Sequence, residues 1–257
     1  MSPLSYSRMI RYSCCHVWRA FKRYLPAFIL CAALWVMVSD QMLQLAKQQA
    51  IYLHTPMYNK WMMQYLMAIL GCVVLFMFVS NIFYVAAFRS AQSQPFSWKQ
   101  GLKAAGFMLL PTWMMTAANF SVSLFLMLLL LIPFVVFMVR VQLIKPILVE
   151  LTLAKPEIGL FEMAFTVIAT SIKKTAGHFW KLFFVLLVLL LIHFGFTMGF
   201  SFLSQWIISH IASPSWIVRG PWLTYIISGL GAIIYIILLL FDFFVKLKIW
   251  QDLRETN

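Results

Sequence analysis

Apolar residues in this 257-residue chain run in long blocks, not in the alternation of a half-buried strand. A bilayer-spanning helix needs ~20 mostly apolar residues to cross ~30 Å of hydrocarbon. The blocks that qualify are residues 24–46, 62–88, 107–132, 133–153, 179–207 and 222–245. The pattern predicts an all-α integral membrane protein of six transmembrane helices, one polytopic domain over residues 1–257.

The join between the third and fourth blocks needs an argument. Residues 107–139 carry no charge, and as one helix they would measure ~50 Å, too long to span without a bend. Pro133 cannot donate a backbone hydrogen bond and suits the first turn of a helix, so a tight break at Ile132–Pro133 is expected. A turn at Asn119–Ser123 is the alternative, and both give six spans.

Other stretches repeat at helical spacing but are amphipathic. In residues 158–178, Phe161, Phe165, Ile168 and Ile172 form one side, and Glu162, Thr166, Thr170, Lys173 and Lys174 the other. In residues 5–23, Cys14, Val17, Phe21 and then Leu25 oppose Arg11, Arg19, Lys22 and Arg23. Both read as amphipathic interfacial helices on the cytoplasmic side, with residues 96–106 a weaker version. Interfacial helix plus hairpin could thus occur three times, a similarity of pattern rather than of residues.

Composition agrees. The chain is 63% hydrophobic and 11% charged, with mean hydropathy +0.89. A soluble domain is nearer half apolar and a quarter charged, so a water-soluble fold is excluded. The net charge of +13 comes from 20 Lys and Arg against 7 Asp and Glu. On a membrane protein this excess reads as cationic helix flanks facing anionic lipid headgroups, not as a nucleic-acid surface. With the N-terminus inside, only Lys47, Lys60 and Arg219 fall in outer loops, while Arg140 and Lys145 fall within the fourth span. Six spans with cytoplasmic N- and C-termini satisfy the positive-inside rule. The basic start followed by an apolar run resembles a signal peptide, but Trp35, Met37 and Asp40 follow where small residues would mark cleavage, so a retained first helix is expected. Four scattered cysteines make neither a disulfide framework nor a zinc site.

The polar candidates are therefore intramembrane: Arg140, Lys145, Asp40, Asp242 and Glu150. An Arg ~10 Å inside a span should face the bundle interior and find a partner. Matched depth suggests Arg140–Asp40 and Lys145–Asp242 pairs, which either fix helix packing or line a polar pathway; Lys145 could instead snorkel to the interface. Glu150 is expected near headgroup level, solvated or paired with Lys145 or the amphipathic helix. Asn81 and Asn119 read as interhelical hydrogen-bond glue and His193 as a packed histidine. Trp18, Trp61, Trp98, Trp180, Trp216, Trp222 and Trp250 cluster near span ends, as an aromatic belt would. No HExxH, GxSxG, phosphate loop or paired-carboxylate motif occurs, so no enzyme, cofactor or metal is expected.

Ile132–Pro133, Arg140, Pro146–Glu150 and Thr170–Trp180, in that order, resemble a bacterial family of six-helix membrane proteins. It comprises the YciC-like proteins and the membrane domain preceding some glycerophosphoryl diester phosphodiesterases. Phe134 stands where that family usually has Gly, and Ser171 matches a family serine. The resemblance implies the fold and the bacterial inner membrane; no phosphodiesterase domain is expected here. The expected function is a non-enzymatic membrane scaffold or assembly factor that binds lipid or a membrane-protein partner. The alternative is a small-solute or lipid transporter or channel with a polar interior around Arg140.

Overall fold

The computed structural model describes residues 6–52, 58–129, 131–154, 158–211 and 222–255. Over the described residues the chain forms helices and no strand: α1 (Tyr6–Tyr52), α2 (Tyr58–Ala91), α3 (Trp98–Leu129), α4 (Leu131–Arg140), α5 (Ile144–Ala154), α6 (Leu160–Thr175), α7 (Phe179–Ile211) and α8 (Trp222–Glu255). Among the described residues, three stretches are long and apolar enough to cross a membrane: Tyr58–Ala91, Phe179–Ile207 and Tyr225–Arg254. The bent α1 makes a fourth if its two parts act as one span. Such helices satisfy their own backbone hydrogen bonds, which hydrocarbon demands.

Prolines explain where the helices bend. The expected interfacial segment and first span are one helix, kinked at Tyr24 (φ −111°, ψ 17°) two residues before Pro26. Pro26 lacks an N–H for the Lys22 carbonyl, and its ring crowds that oxygen. Segment 96–106 likewise merges with the third expected span, because α3 begins at Trp98. Helix α3 runs through Asn119–Ser123, so the alternative turn there is not taken. Pro133 sits in the first turn of α4, where its missing donor costs nothing.

The stretch expected as the fourth span, residues 133–153, is not one straight helix. The helix stops at Arg140, turns through residues 141–143 and restarts at Ile144. Pro146 supplies the reason, since a straight helix would drive its ring into the Gln142 carbonyl. The chain instead makes a tighter turn, with Ile144 N–H donating to the Val141 carbonyl at 3.3 Å.

The chain divides into two compact units. The first holds Met1–Arg23, Met77–His193 and Leu238–Asn257. Helices α3 to α6 pack together there, with Met108, Leu143, Leu148, Met163 and Val167 fully buried. Tyr84 of α2 stacks on Phe243 of α8, with ring centroids 4.9 Å apart. The second unit holds Tyr24–Phe76 and Phe194–Ile237. There Phe76 meets Trp35 and Tyr235, and Gly231 leaves room for the Phe200 ring, which a β-carbon would meet at 2.9 Å. Its outer surface carries Met67, Leu70, Phe194, Phe196, Phe202 and Leu203, all exposed.

Candidate functional site

The turn after Arg140 frees its carbonyl, and helix α6 supplies donors to it. Ser171 Oγ donates to the Arg140 carbonyl at 2.7 Å, and Thr175 Oγ1 approaches the same oxygen at 3.4 Å. In return the Arg140 guanidinium donates to the Ile172 carbonyl at 3.3 Å. Each helix thus caps the end of the other. Arg140 contributes positive charge near the C-terminus of α6, where the helix dipole favours it. Sequence spacing places Ser171 and Thr175 one turn apart, on the buried face with Met163, Ala164 and Val167.

The two residues of the first depth-matched pair each have a partner within their own unit. Arg140 is held by backbone, and Asp40 accepts a hydrogen bond from Tyr225 Oη at 3.1 Å within the second unit. The second pair is corrected. Asp242 pairs with Lys246, one turn along its own helix, at 2.6 Å. Lys145 instead lies over the Tyr84 ring, 5.4 Å from its centroid. Lys248 and Asp252 form another one-turn pair at 2.6 Å, with Lys248 above Tyr12.

Glu150 is joined to α8, not to Lys145 or the amphipathic helix. One carboxylate oxygen accepts from Trp250 Nε1 and the other from the Arg254 guanidinium. Trp250 and Arg254 are four residues apart and so share a helix face, a signal present in the sequence. Trp250 is consequently buried, as is Trp61, and neither belongs to an outward belt. Trp18, Trp98 and Trp180 are exposed, and Lys22 lies 4.7 Å from the Trp18 ring centroid. The side chains of Trp216 and Trp222 lie outside the described residues.

Asn81 acts as the expected glue: it is fully buried and accepts from Thr112 of α3 at 3.4 Å. His193 bonds through Nδ1 to the Leu189 carbonyl, one turn back, at 3.0 Å. Among the described residues no group of three His, Cys, Asp or Glu could hold a metal.

Both amphipathic segments present three faces, not two. In α6 the packed face is Met163, Ala164, Val167, Ser171 and Thr175. The stripe of Phe161, Phe165 and Ile172 turns outward, with Phe161 66% and Phe165 73% exposed. Lys173 is exposed beside that stripe. In the first part of α1 the packed face is Met9, Ser13, Ala20 and Tyr24, while Ile10, Trp18 and Leu25 are exposed among Arg11, Arg19, Lys22 and Arg23. At the start of α3, Trp98 and Leu102 are exposed beside Lys99 and Lys103. Apart from Tyr24 and Leu25, where the second unit begins, these residues belong to the first unit.

Comparison with known proteins finds no matching family, no matching curated protein and no matching solved structure.

Proposed function

We propose that this chain is a non-enzymatic scaffold or assembly protein of the bacterial inner membrane, YciC-like in layout. In this reading it crosses the bilayer six times and holds anionic lipid, or a lipid-bound membrane partner, against a basic cytoplasmic half. One observation carries the proposal. Of the 20 Lys and Arg, only Lys47, Lys60 and Arg219 lie in the second unit, and all the rest lie in the first, which also holds both chain ends. The division into compact units takes no account of charge, yet it falls along the same line as the cation bias along the chain, which supports this reading. The exposed aromatic and basic faces of α1, α3 and α6 suit a headgroup layer, with rings at the apolar boundary and cations toward phosphate.

The test is to isolate the protein in mild detergent and quantify co-purifying lipids and proteins, wild type beside Arg140→Leu. Enrichment of anionic lipid, unchanged by the substitution, is expected because the Arg140 guanidinium is already engaged by the Ile172 carbonyl. A second reading, transport through a polar interior, draws on the broken α4–α5 helix, since transporters interrupt helices at their binding sites. A bound solute released by Arg140→Leu in a folded protein would replace the scaffold reading with transport.

A further inference from the structure

A histidine ties the basic first part of α1 to α8 within the first unit. His16 touches two rings: Tyr12, one turn back on α1, with centroids 4.2 Å apart, and Phe244 of α8, with centroids 5.4 Å apart. Phe244 is fully buried and gives His16 an apolar wall. The imidazole Nδ1 is shielded and meets no hydrogen-bond partner among the described residues. Met9, Ser13 and Ala20 are the other buried residues of this segment, and two of the three are too small to bury much apolar area. At its far end the segment reaches the Tyr24 kink, where Pro26 leaves the Lys22 carbonyl without its helix donor. The segment Tyr6–Arg23 thus has a hinge at one end and the His16 contact near its middle. His16 lies before that hinge, in the part expected at the interface and not in the first span.

The charges that face this contact are cationic or already engaged. Arg19 follows His16 by three residues on α1, close enough to repel a positive imidazole. From α8, Lys248 lies 5.8 Å from the Tyr12 ring centroid, and Asp252 is paired with Lys248 at 2.6 Å. Burial holds the Tyr12 phenol above its usual range, so it stays neutral near pH 7. A neutral imidazole suits such a place. An imidazolium does not, because its Nδ1–H would be a charged donor without an acceptor, between an apolar wall and like charges. The Tyr12 ring attracts cations, but Lys248 already lies over it. Burial first, and the Arg19 guanidinium second, hold the His16 imidazole below its usual range. We infer that the Tyr12–His16–Phe244 contact is a pH-sensitive latch, holding the basic segment Tyr6–Arg23 against α8 while His16 is neutral and weakening as His16 takes up a proton. A histidine released from the contact protonates near pH 6.5, and a latched one only at lower pH. The latch is therefore at full strength above about pH 6.5 and is lost as pH falls through the lower, latched value. It is independent of the lipid reading above.

The test is hydrogen exchange of the full chain in mild detergent at about pH 7.5 and about pH 5.5, corrected for the intrinsic exchange rate at each pH. In wild type, protection over Tyr6–Arg23 should fall at the lower pH by several-fold, up to the roughly tenfold limit set by one pH unit below the free histidine value. Protection over α5, which is remote from His16 in the chain, should hold. His16→Phe keeps a ring against Tyr12 and Phe244 but takes up no proton, so its segment should be equally protected at both pH values. His178→Gln removes a histidine outside the contact, and its segment should fall as wild type does. Equal wild-type protection at the two pH values overturns the latch, whatever the variants do. So does a fall of the same size over α5, which would mean general loosening. A fall in His16→Phe as large as in wild type, or one that His178→Gln abolishes, assigns the titration to another group and overturns it as well.

Discussion

At Glu150 one carboxylate meets two donors, the buried Trp250 indole and the Arg254 guanidinium. The Arg254 side chain is 66% exposed, and an exposed ion pair contributes about 0–1 kcal/mol. The indole N–H is shielded, and leaving such a donor unpaired costs about 1–3 kcal/mol. Double-mutant cycles on chemical unfolding in detergent should therefore give a clearly larger coupling for Glu150–Trp250 than for Glu150–Arg254. The reverse ranking would make the ion pair the stronger tie. By the same reasoning, Ser171→Ala should lower unfolding stability by about 1–2 kcal/mol, because the Arg140 carbonyl loses its shorter side-chain donor. A variant within experimental error of wild type would remove the reciprocal cap from the account.

Helix α6 shows what sequence pattern can and cannot reveal about an element. The stripe Phe161, Phe165, Ile168, Ile172 is legible from spacing alone, as is the Lys173–Lys174 end. Spacing does not reveal that a different face packs inward, because Ala164, Ser171 and Thr175 are small or polar and carry no hydrophobic signal. Small residues are what let α6 approach its neighbours closely. The contrast is measurable. Val167→Ala, at a fully buried position, should cost about 2 kcal/mol from lost methyl burial and the cavity left behind. Phe165→Ser, at the more exposed position, should leave unfolding in detergent within about 0.5 kcal/mol of wild type. Equal losses would mean that the outward stripe packs against protein. The Lys145–Asp242 pairing gave way for a related reason. Matching Lys145 with Asp242 by depth assumed a straight fourth span, whereas Pro146 breaks it. The local options, Asp242 with Lys246 and Lys248 with Asp252, lay four residues apart in the chain. One-turn pairs need no assumption about topology and were the better guide.

At the scale of the molecule, the apolar blocks and the charge bias were the strongest signals in the chain. They led to an all-helical membrane protein, and the long apolar helices α2, α7 and α8 agree. What the blocks left open is how the polar residues group, because partners such as Tyr84, Tyr225 and Trp250 belong to other blocks and look like ordinary interface aromatics. The central proposal is that Lys173 and its neighbouring cations face the cytoplasm while Lys60 lies on the outer side of the membrane. Its most direct test is cysteine accessibility in intact cells, in a background with Cys14, Cys15, Cys31 and Cys72 replaced. A membrane-impermeant maleimide should label Lys60→Cys in intact cells, and should label Lys173→Cys only after the membrane is opened. Labelling of both from outside, or of Lys173→Cys alone, would contradict the account.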